Sequence, residues 1–199
     1  MSTHSELGLV LVISGPSGVG KDTVWQTAKP CLPTFERAIT CTTRTRRPHE
    51  TEGVDYYFVP HEEFERMIRE DELVEHALVH GNFYGVPVKS IFSRINVGQD
   101  VVCVIDVQGA LTIRRLFPQA LLVFIKPPEG RENEVLTHRI TGRSPVDDSE
   151  LATRLETATR ELSQMHFYDY HIVNDDLERA SHELCEVIKA EKERRAAKI

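Results

Sequence analysis

Long hydrophobic runs are missing from this sequence, since no apolar stretch approaches the ~18 residues that a membrane-spanning helix requires. The N-terminal stretch MSTHSELG also lacks the charged start and apolar stretch of a secretory signal. We therefore expect a soluble, cytoplasmic protein without a membrane partner. A chain of 199 residues is long enough for one good core, or for one core with small appended subdomains.

Cysteines are few, and no two of them have the spacing of a metal knuckle or of a CxxC pair. The four are Cys31, Cys41, Cys103 and Cys185. Cys103 lies in an apolar run, which predicts a buried thiol. A disulfide framework is not expected in a chain of this size and class.

Positive charge is in deficit, because 24 lysines and arginines face 31 aspartates and glutamates, giving a net charge of −7. A protein that coats a nucleic acid polymer carries a basic field, so we exclude that class of partner. A small phosphate ligand remains compatible with this charge where arginines cluster locally, as they do in TTRTRRP at residues 42–48.

Buried-type strands alternate with helices along the chain, which predicts an α/β fold with a parallel sheet. The apolar runs LGLVLVISG, DVVCVID and ALLVFIKPP are typical of strands buried on both faces. FERAITCTTR predicts one further strand, and YDYHIVNDD another. A mixed insertion between residues 36 and 87 indicates a separate lobe, and the polar helical stretch at 129–148 indicates a lid.

The segment LVISGPSGVGKDTVW contains the pattern of a phosphate-binding loop between a strand and a helix. Glycines let the backbone amides wrap around phosphate oxygens, and the helix N-terminus favours an anion. Lys21 would add a positive charge for the outer phosphates. Asp22 stands where a hydroxyl residue usually ligates Mg²⁺, but a carboxylate can hold that ion through water, and Thr23 follows with a hydroxyl.

A second candidate anion site is the arginine cluster, in which Arg44 and Arg47 are three residues apart. Arginine forks suit phosphate oxygens, although a lone basic cluster is more often a solvated surface. The tyrosine stretches GVDYYFV and GNFYGVP accompany the cluster in the predicted lobe, together with Glu75. Together these residues suggest a pocket for a nucleoside monophosphate.

Six segments, taken in order, resemble the guanylate kinase family: GPSGVGK, TTRTRRP, GVDYYFV, EHA with GNFYG, IDVQGA and IVNDDL. They cover nearly the whole chain, from Leu7 to Ala180. The resemblance implies phosphoryl transfer from MgATP to GMP on a P-loop NTPase core, in which helices flank a parallel sheet. It also implies a core at 1–35, 88–128 and 149–199, a GMP-binding lobe at 36–87 and a helical lid at 129–148. We expect a monomer or a homodimer.

The resemblance also implies roles for individual residues. The ATP phosphates would be held by Gly15, Pro16, Ser17, Gly18, Val19, Gly20, Lys21, Asp22 and Thr23, and adenine by Asn174. The GMP phosphate would be held by Arg44, Arg47, Tyr56 and Tyr84. Guanine would be recognised by Glu75 and Thr40, with Asp106 binding guanine or orienting Mg²⁺. The residues closing over the transferred phosphoryl group, besides Lys21, would be Arg139, Arg143 and Arg154. No Mg²⁺ ligand is fixed, but Asp22, Thr23 and Asp106 are candidates.

The sequence departs from the family pattern at three positions. One is Asp22. Val86 stands where a serine or threonine is common, and Val104 stands where an acidic residue is often found. A few extra residues also occur in PPEGRENEVLTHR. These departures predict a slower enzyme or altered metal handling. Two other functions stay open at this point: a kinase of the same fold that acts on a phosphosugar, and a non-catalytic binding module.

Overall fold

The computed structural model describes residues 7–79, 81–142 and 147–197. Arg143, predicted to act at the transferred phosphoryl group, lies outside the described residues. The chain divides into two compact units. The first unit comprises Met1–Leu11, Phe35–Cys103 and Leu111–Ala120, and the second comprises Val12–Thr34, Val104–Ala110 and Leu121–Ile199. The predicted division into core, GMP-binding lobe and lid stays a prediction.

Helices and strands alternate through most of the described residues, as the sequence predicts. The strands there are β1 (Val10–Ser14), β2 (Phe35–Arg37), β3 (Cys41–Thr42), β4 (Tyr57–Phe58), β5 (Leu73–Val79), β6 (Asn82–Pro87), β7 (Asp100–Val104), β8 (Leu121–Lys126) and β9 (Tyr170–Val173). The α-helices there are α1 (Lys21–Ala28), α2 (His61–Arg69), α3 (Val88–Ile95), α4 (Val107–Leu116), α5 (Glu132–Thr141), α6 (Asp148–Ser163) and α7 (Leu177–Ala196).

The strands form two sheets among the described residues. A five-stranded sheet has the order β2-β7-β1-β8-β9, in which β2 pairs with β7 and β8 with β9 in parallel. A four-stranded sheet has the order β4-β3-β6-β5, with antiparallel pairing of β6 to both β3 and β5. All five residues of β1 are buried, which is typical of a strand in a parallel sheet covered on both faces. The predicted α/β class with a mostly parallel central sheet is confirmed.

The predicted strand FERAITCTTR is in fact two strands, β2 and β3, which belong to different sheets. The chain leaves the five-stranded sheet after Arg37 and enters the four-stranded sheet at Cys41. Apolar residues continue through the interruption, since Ala38 and Ile39 are also buried. Hydrophobicity alone therefore does not reveal the change of sheet.

The four-stranded sheet of the first unit packs against α2. Phe64 and Met67 of α2 are buried together with Cys41 of β3, and the rings of Phe64 and Phe83 stack at 5.1 Å between centroids. Acidic residues in the first turn of α2 and arginines in its last turn match the helix dipole. This packing fixes one face of the sheet that carries the candidate GMP residues.

In the second unit, α1 packs against α7. Cys31 and Cys185 form a disulfide between the turn that follows α1 and helix α7. One pair is not a disulfide framework, but this bond was not predicted from the sequence. The two cysteines are separated by 154 residues, and only tertiary packing brings them together. The predicted burial of Cys103 is confirmed.

Aspartates cap three helices, namely α6 and α7 of the second unit and α4, whose first residues belong to that unit. The side chain of Asp147 accepts a hydrogen bond from the backbone of Glu150 at the start of α6, and Asp176 accepts one from Arg179 at the start of α7. Asp106 accepts one from Gly109 in the first turn of α4. Such caps satisfy backbone N–H groups that the helix leaves without a partner. No helix in the described part of the chain is long and apolar enough to cross a membrane.

Candidate active site

The glycine-rich loop between β1 and α1 has a backbone that only glycine fits at two positions. Gly15 has a φ of 142°, and a Cβ atom there would lie 2.1 Å from the carbonyl oxygen of Ile125. Gly20 has a φ of 94°, and a Cβ atom there would lie 2.7 Å from the side-chain nitrogen of Asn174. Larger residues at these positions would displace β8 or Asn174, so the loop depends on both glycines.

Lys21, the first residue of α1, turns its ammonium group back onto the loop. Its Nζ atom donates to the carbonyl oxygen of Gly15 at 2.7 Å and to that of Pro16 at 3.3 Å. A positive charge is therefore held beside backbone amides that precede a helix N-terminus. This combination is the usual arrangement for binding phosphate oxygens.

Two side chains from later in the chain fasten the loop at Val19. Arg139 on α5 donates to the carbonyl oxygens of Val19 at 2.7 Å and of Asn174 at 2.8 Å. The side-chain amide of Asn174, which is buried, donates to the same Val19 oxygen at 2.8 Å. Burial lowers the pKa of Arg139. The structure thus brings both predicted residues to the loop, while their contacts with the phosphoryl group and with adenine stay predictions.

The candidate Mg²⁺ residues lie in the second unit beside or near the loop. Asp22 and Thr23 are exposed in the first turn of α1, and Asp106 is exposed at the start of α4. Their oxygen atoms are the hard donors that Mg²⁺ prefers. Within the described residues, no group of three acidic, histidine or cysteine side chains could hold a metal alone. The residues therefore fit an ion bound mainly by nucleotide phosphates and water.

Three side chains near the loop have oxygen atoms that are buried and make no hydrogen bond in the described structure: Ser14 Oγ, Glu161 Oε2 and Tyr168 OH. Burial raises the pKa of Glu161, against the opposing effects of the Lys21 charge and the Ser17 backbone amide. Burial also raises the pKa of Tyr168 to about 12. The sequence reading missed all three as site residues, because each stands outside the recognised motif or beside it.

In the first unit, the arginine cluster is organised by a carboxylate that the sequence reading also missed. Glu50 accepts hydrogen bonds from both terminal nitrogens of Arg44, at 2.7 and 3.0 Å, and from the backbone N–H of Arg47 at 2.8 Å. Arg46 donates to the backbone oxygen of Glu50. The hydrogen bonds from Arg44 lower the pKa of Glu50 to about 2. An acid three residues after Arg47 was the available signal.

Aromatic rings surround the Arg44 guanidinium, which lies 5.5 Å from the centre of the Tyr56 ring. Tyr56 and Tyr84 meet edge to face at 6.1 Å. Hydrogen bonding to Glu50, and secondarily to Tyr84, raises the pKa of Arg44. The structure therefore brings together three of the four predicted phosphate-binding side chains, and Arg47 follows on the same loop with an exposed side chain.

The two predicted guanine-recognition residues of the first unit lie on or beside the same four-stranded sheet. Glu75 is half-buried on β5, and its charge contributes to the raised pKa of the buried Cys103 thiol, whose main cause is burial. Thr40 precedes β3, and its carbonyl oxygen accepts from the Tyr57 backbone. Val86 is buried on β6.

Arg154, the remaining predicted catalytic arginine in the described residues, lies on α6. It is paired with Glu150 one turn earlier, and 39% of its side chain is exposed. A surface pair of this kind contributes little to stability, so Arg154 is available to a ligand at small energetic cost. Its catalytic role stays a prediction.

The chain matches the family model described as guanylate kinase over residues 8–191. It is 40% identical over 185 residues to a guanylate kinase of Carboxydothermus hydrogenoformans, covering 93% of this chain and 89% of the relative. It is 41% identical over 186 residues to one of Lactococcus lactis subsp. lactis, covering 94% and 89%. A crystal structure of guanylate kinase from Anaplasma phagocytophilum superimposes with a TM-score of 0.64 at 34% identity, covering 94% of this chain and 87% of that one. The chain belongs to the guanylate kinase family.

Proposed function

We propose that this enzyme transfers a phosphoryl group from MgATP to GMP, giving ADP and GDP. The observation that carries the proposal is the glycine-dependent loop of the second unit, with the Lys21 ammonium held inside it. A loop of this geometry binds the phosphates of a nucleoside triphosphate. Relatives named guanylate kinase, 40 to 41% identical over 93 to 94% of the chain, support GMP as the acceptor.

The first unit would bind GMP. Arg44 lies between Glu50 and the two tyrosines with its fork already oriented, so little rotamer entropy is lost when a phosphate binds. Glu75 would accept hydrogen bonds from the N1–H and 2-amino groups of guanine, with Thr40 assisting. Adenine lacks this pair of donors, so it would leave the Glu75 carboxylate without partners.

Catalysis would consist of alignment and charge neutralisation. The attacking oxygen of GMP is already anionic near neutral pH, so no strong general base is required. Lys21, held beside the loop carbonyls, would donate to the transferred phosphoryl group, and Arg139, Arg143 and Arg154 would balance the remaining charge. Asn174 would contact adenine. Water would be excluded from the reacting groups when the nucleotides are enclosed.

Magnesium would be held by ATP together with Asp22 or Thr23, and Asp106 is the candidate for orienting it. Bound there, Mg²⁺ would supply positive charge that neutralises the phosphates during transfer. The predicted cytoplasmic location and the choice between monomer and homodimer stay predictions.

The two other functions are not favoured. A non-catalytic binding module would have no need of the Lys21 loop geometry, which is complete here. A phosphosugar kinase of the same fold would have no need of Glu75 or of the tyrosines around Arg44.

The test is an acceptor panel with ATP and Mg²⁺, in which GMP, dGMP, AMP and a ribose phosphate are compared for ADP release and phosphorylated product. We expect GDP and dGDP to form, with GMP preferred over AMP, and the reaction to stop when Mg²⁺ is chelated. Absence of GDP, or preference for the ribose phosphate, would overturn the proposal.

A further inference from the structure

Two side chains hold the peptide group between Val19 and Gly20 in the phosphate loop. The Nδ2 atom of Asn174 and the Nη1 atom of Arg139 donate to the Val19 carbonyl oxygen at 2.8 and 2.7 Å. A carbonyl oxygen has two lone pairs, so both are engaged. Val19 and Asn174 are buried, at 0% and 4% exposure, so water has little access to these bonds. The direction of the Val19 carbonyl is therefore fixed.

A fixed Val19 carbonyl also fixes the N–H of Gly20, because the two belong to one planar peptide group. In a trans peptide the C=O and N–H bonds point in opposite directions, and the described residues contain no cis peptide. The Val19 oxygen points to Asn174 and Arg139, so the Gly20 N–H points away from them. Gly20 immediately precedes α1, whose first N–H groups have no carbonyl of the helix to bind. The Gly20 N–H is therefore a backbone donor available to a phosphate.

Asn174 is itself held in place through its own backbone. Its N–H donates to the carbonyl oxygen of Lys126 at 2.9 Å, next to the last residue pair of β8 and β9. Its carbonyl oxygen accepts from the Nη2 atom of Arg139 at 2.8 Å. A Cβ atom on Gly20 would lie 2.7 Å from the Asn174 side-chain nitrogen, so the side chain packs closely against the loop. The amide thus reaches the loop from the end of the parallel sheet.

We propose that Asn174 is a positioning residue for phosphate binding, acting through the Val19 carbonyl to aim the Gly20 N–H at the ligand. Without the Asn174 amide, one lone pair of the Val19 oxygen would be buried without a donor, which favours rotation of the peptide group toward other partners. Glycine permits such a rotation, because it lacks the steric limits of other residues. The rotation would turn the Gly20 N–H away from the phosphate. This role is separate from the predicted contact of Asn174 with adenine, because it acts on the phosphates.

This inference rests on the proposed binding of ATP at the loop, and it is tested with a ligand that has phosphates but no base. Calorimetric titration measures the affinity of the wild type and of Asn174→Ala for inorganic tripolyphosphate with Mg²⁺ and, separately, for MgATP. We expect Asn174→Ala to bind tripolyphosphate and MgATP each at least about 5-fold more weakly, as the loss of one hydrogen bond would. Asn174→Asp keeps the size of the side chain but replaces the donor by an acceptor, so it should weaken tripolyphosphate binding as well. The affinity for GMP should change less than about 2-fold.

Ser181→Ala is the matched control. Ser181 is a buried residue of α7 in the same unit, and its Oγ atom donates to the carbonyl oxygen of Val24 on α1 at 3.3 Å, beyond the loop. Asn174→Ala and Ser181→Ala each remove a buried hydrogen bond to a backbone carbonyl. Only Asn174→Ala should weaken the binding of tripolyphosphate.

Weaker binding of MgATP with unchanged binding of tripolyphosphate would overturn the inference, because Asn174 would then act on adenine alone. Unchanged binding of both ligands would overturn it too. An equal loss of tripolyphosphate binding in Ser181→Ala would also overturn it, because that result indicates a general structural effect. Failure of the wild-type protein to form GDP from ATP and GMP would instead refute the proposed function, so the two failures are distinguishable.

Discussion

The two candidate anion sites are held in shape by different means. The phosphate loop of the second unit relies on backbone geometry, because its glycines leave no room for a Cβ atom. Its carbonyl oxygens also accept hydrogen bonds from Lys21, Arg139 and Asn174. The arginine cluster of the first unit relies on one side chain, because Glu50 binds Arg44 and the backbone of Arg47. The first arrangement is sensitive to added volume, and the second is sensitive to the loss of one charge.

The contrast also concerns what each cation already contacts. In the phosphate loop, Lys21 donates to neutral carbonyl oxygens. In the arginine cluster, an incoming phosphate must share Arg44 with a carboxylate. Glu50 therefore orients the guanidinium but also competes with the phosphate for it. The affinity for GMP should depend on the balance of these two effects. Each variant below is expected to disturb one site and leave the other intact.

The largest effect is expected for Lys21→Met, which removes the positive charge from the phosphate loop. Turnover should fall at least about 100-fold, since Lys21 would neutralise charge on the transferred group. Lys29→Met is the matched control, because Lys29 is exposed at the other end of the same helix. Circular dichroism should show that both variants fold, and near-normal turnover by Lys21→Met would contradict its role.

Gly15→Ala tests the dependence of the loop on its backbone. The new Cβ atom would lie 2.1 Å from the Ile125 carbonyl oxygen, so we expect about 2 kcal/mol of destabilisation beyond that of Gly130→Ala. Gly130 is a matched control because it also has a positive φ, 78°, but nothing lies within 4 Å of its added Cβ atom. Urea denaturation measures both, and equal losses of stability would refute the steric account.

Glu75→Gln tests the recognition of guanine in the first unit. The amide keeps the size of the side chain but replaces one hydrogen-bond acceptor by a donor, which opposes the guanine donors. The ratio of kcat/KM for GMP to that for AMP should fall about 10-fold. Glu72→Gln serves as control, because Glu72 lies immediately before β5, three residues before Glu75, and is paired with Arg66 on α2. An unchanged preference for GMP would remove Glu75 from the site.

Glu50→Gln tests the carboxylate that organises the arginine cluster, and we expect the smallest effect here. The KM for GMP should rise about 5-fold, because loss of orientation is partly offset by loss of competition for Arg44. The KM for ATP should stay within about 2-fold. Steady-state kinetics with each nucleotide varied in turn will decide, and a shift in the ATP value alone would be inconsistent with this role.

Glu50 also predicts the direction of a pH effect. Its pKa falls from the ordinary value of 4.5 to about 2 in the folded protein. The contribution of Glu50 to stability is therefore present in full above the unfolded pKa and is lost as the pH falls through about 2. Denaturation of the wild type and of Glu50→Gln across the acid range should show the difference between them shrinking toward low pH.

The sequence was most informative where one local pattern suffices. The strand, glycine loop and helix around Lys21 could be predicted because their spacing is fixed over fifteen residues. The segments that carry Arg44, Tyr56 and Tyr84 could be assigned to one lobe from the sequence, but only the family resemblance implied that these three side chains act together. Their proximity in the first unit agrees with that resemblance.

The remainder could not be predicted because it depends on tertiary packing. Glu50 gives no periodic signal, and its role appears only when it meets Arg44. Cys31 and Cys185 are joined only because α1 lies against α7.

The central claim is that the chain has two separate nucleotide-phosphate sites, one in each unit. The most direct measurement is calorimetric titration of Lys21→Met with GMP and, separately, with MgATP. We predict that GMP binds within about 2-fold of its wild-type affinity, while MgATP binds at least about 10-fold more weakly. Loss of GMP binding, or unchanged binding of MgATP, would contradict the claim.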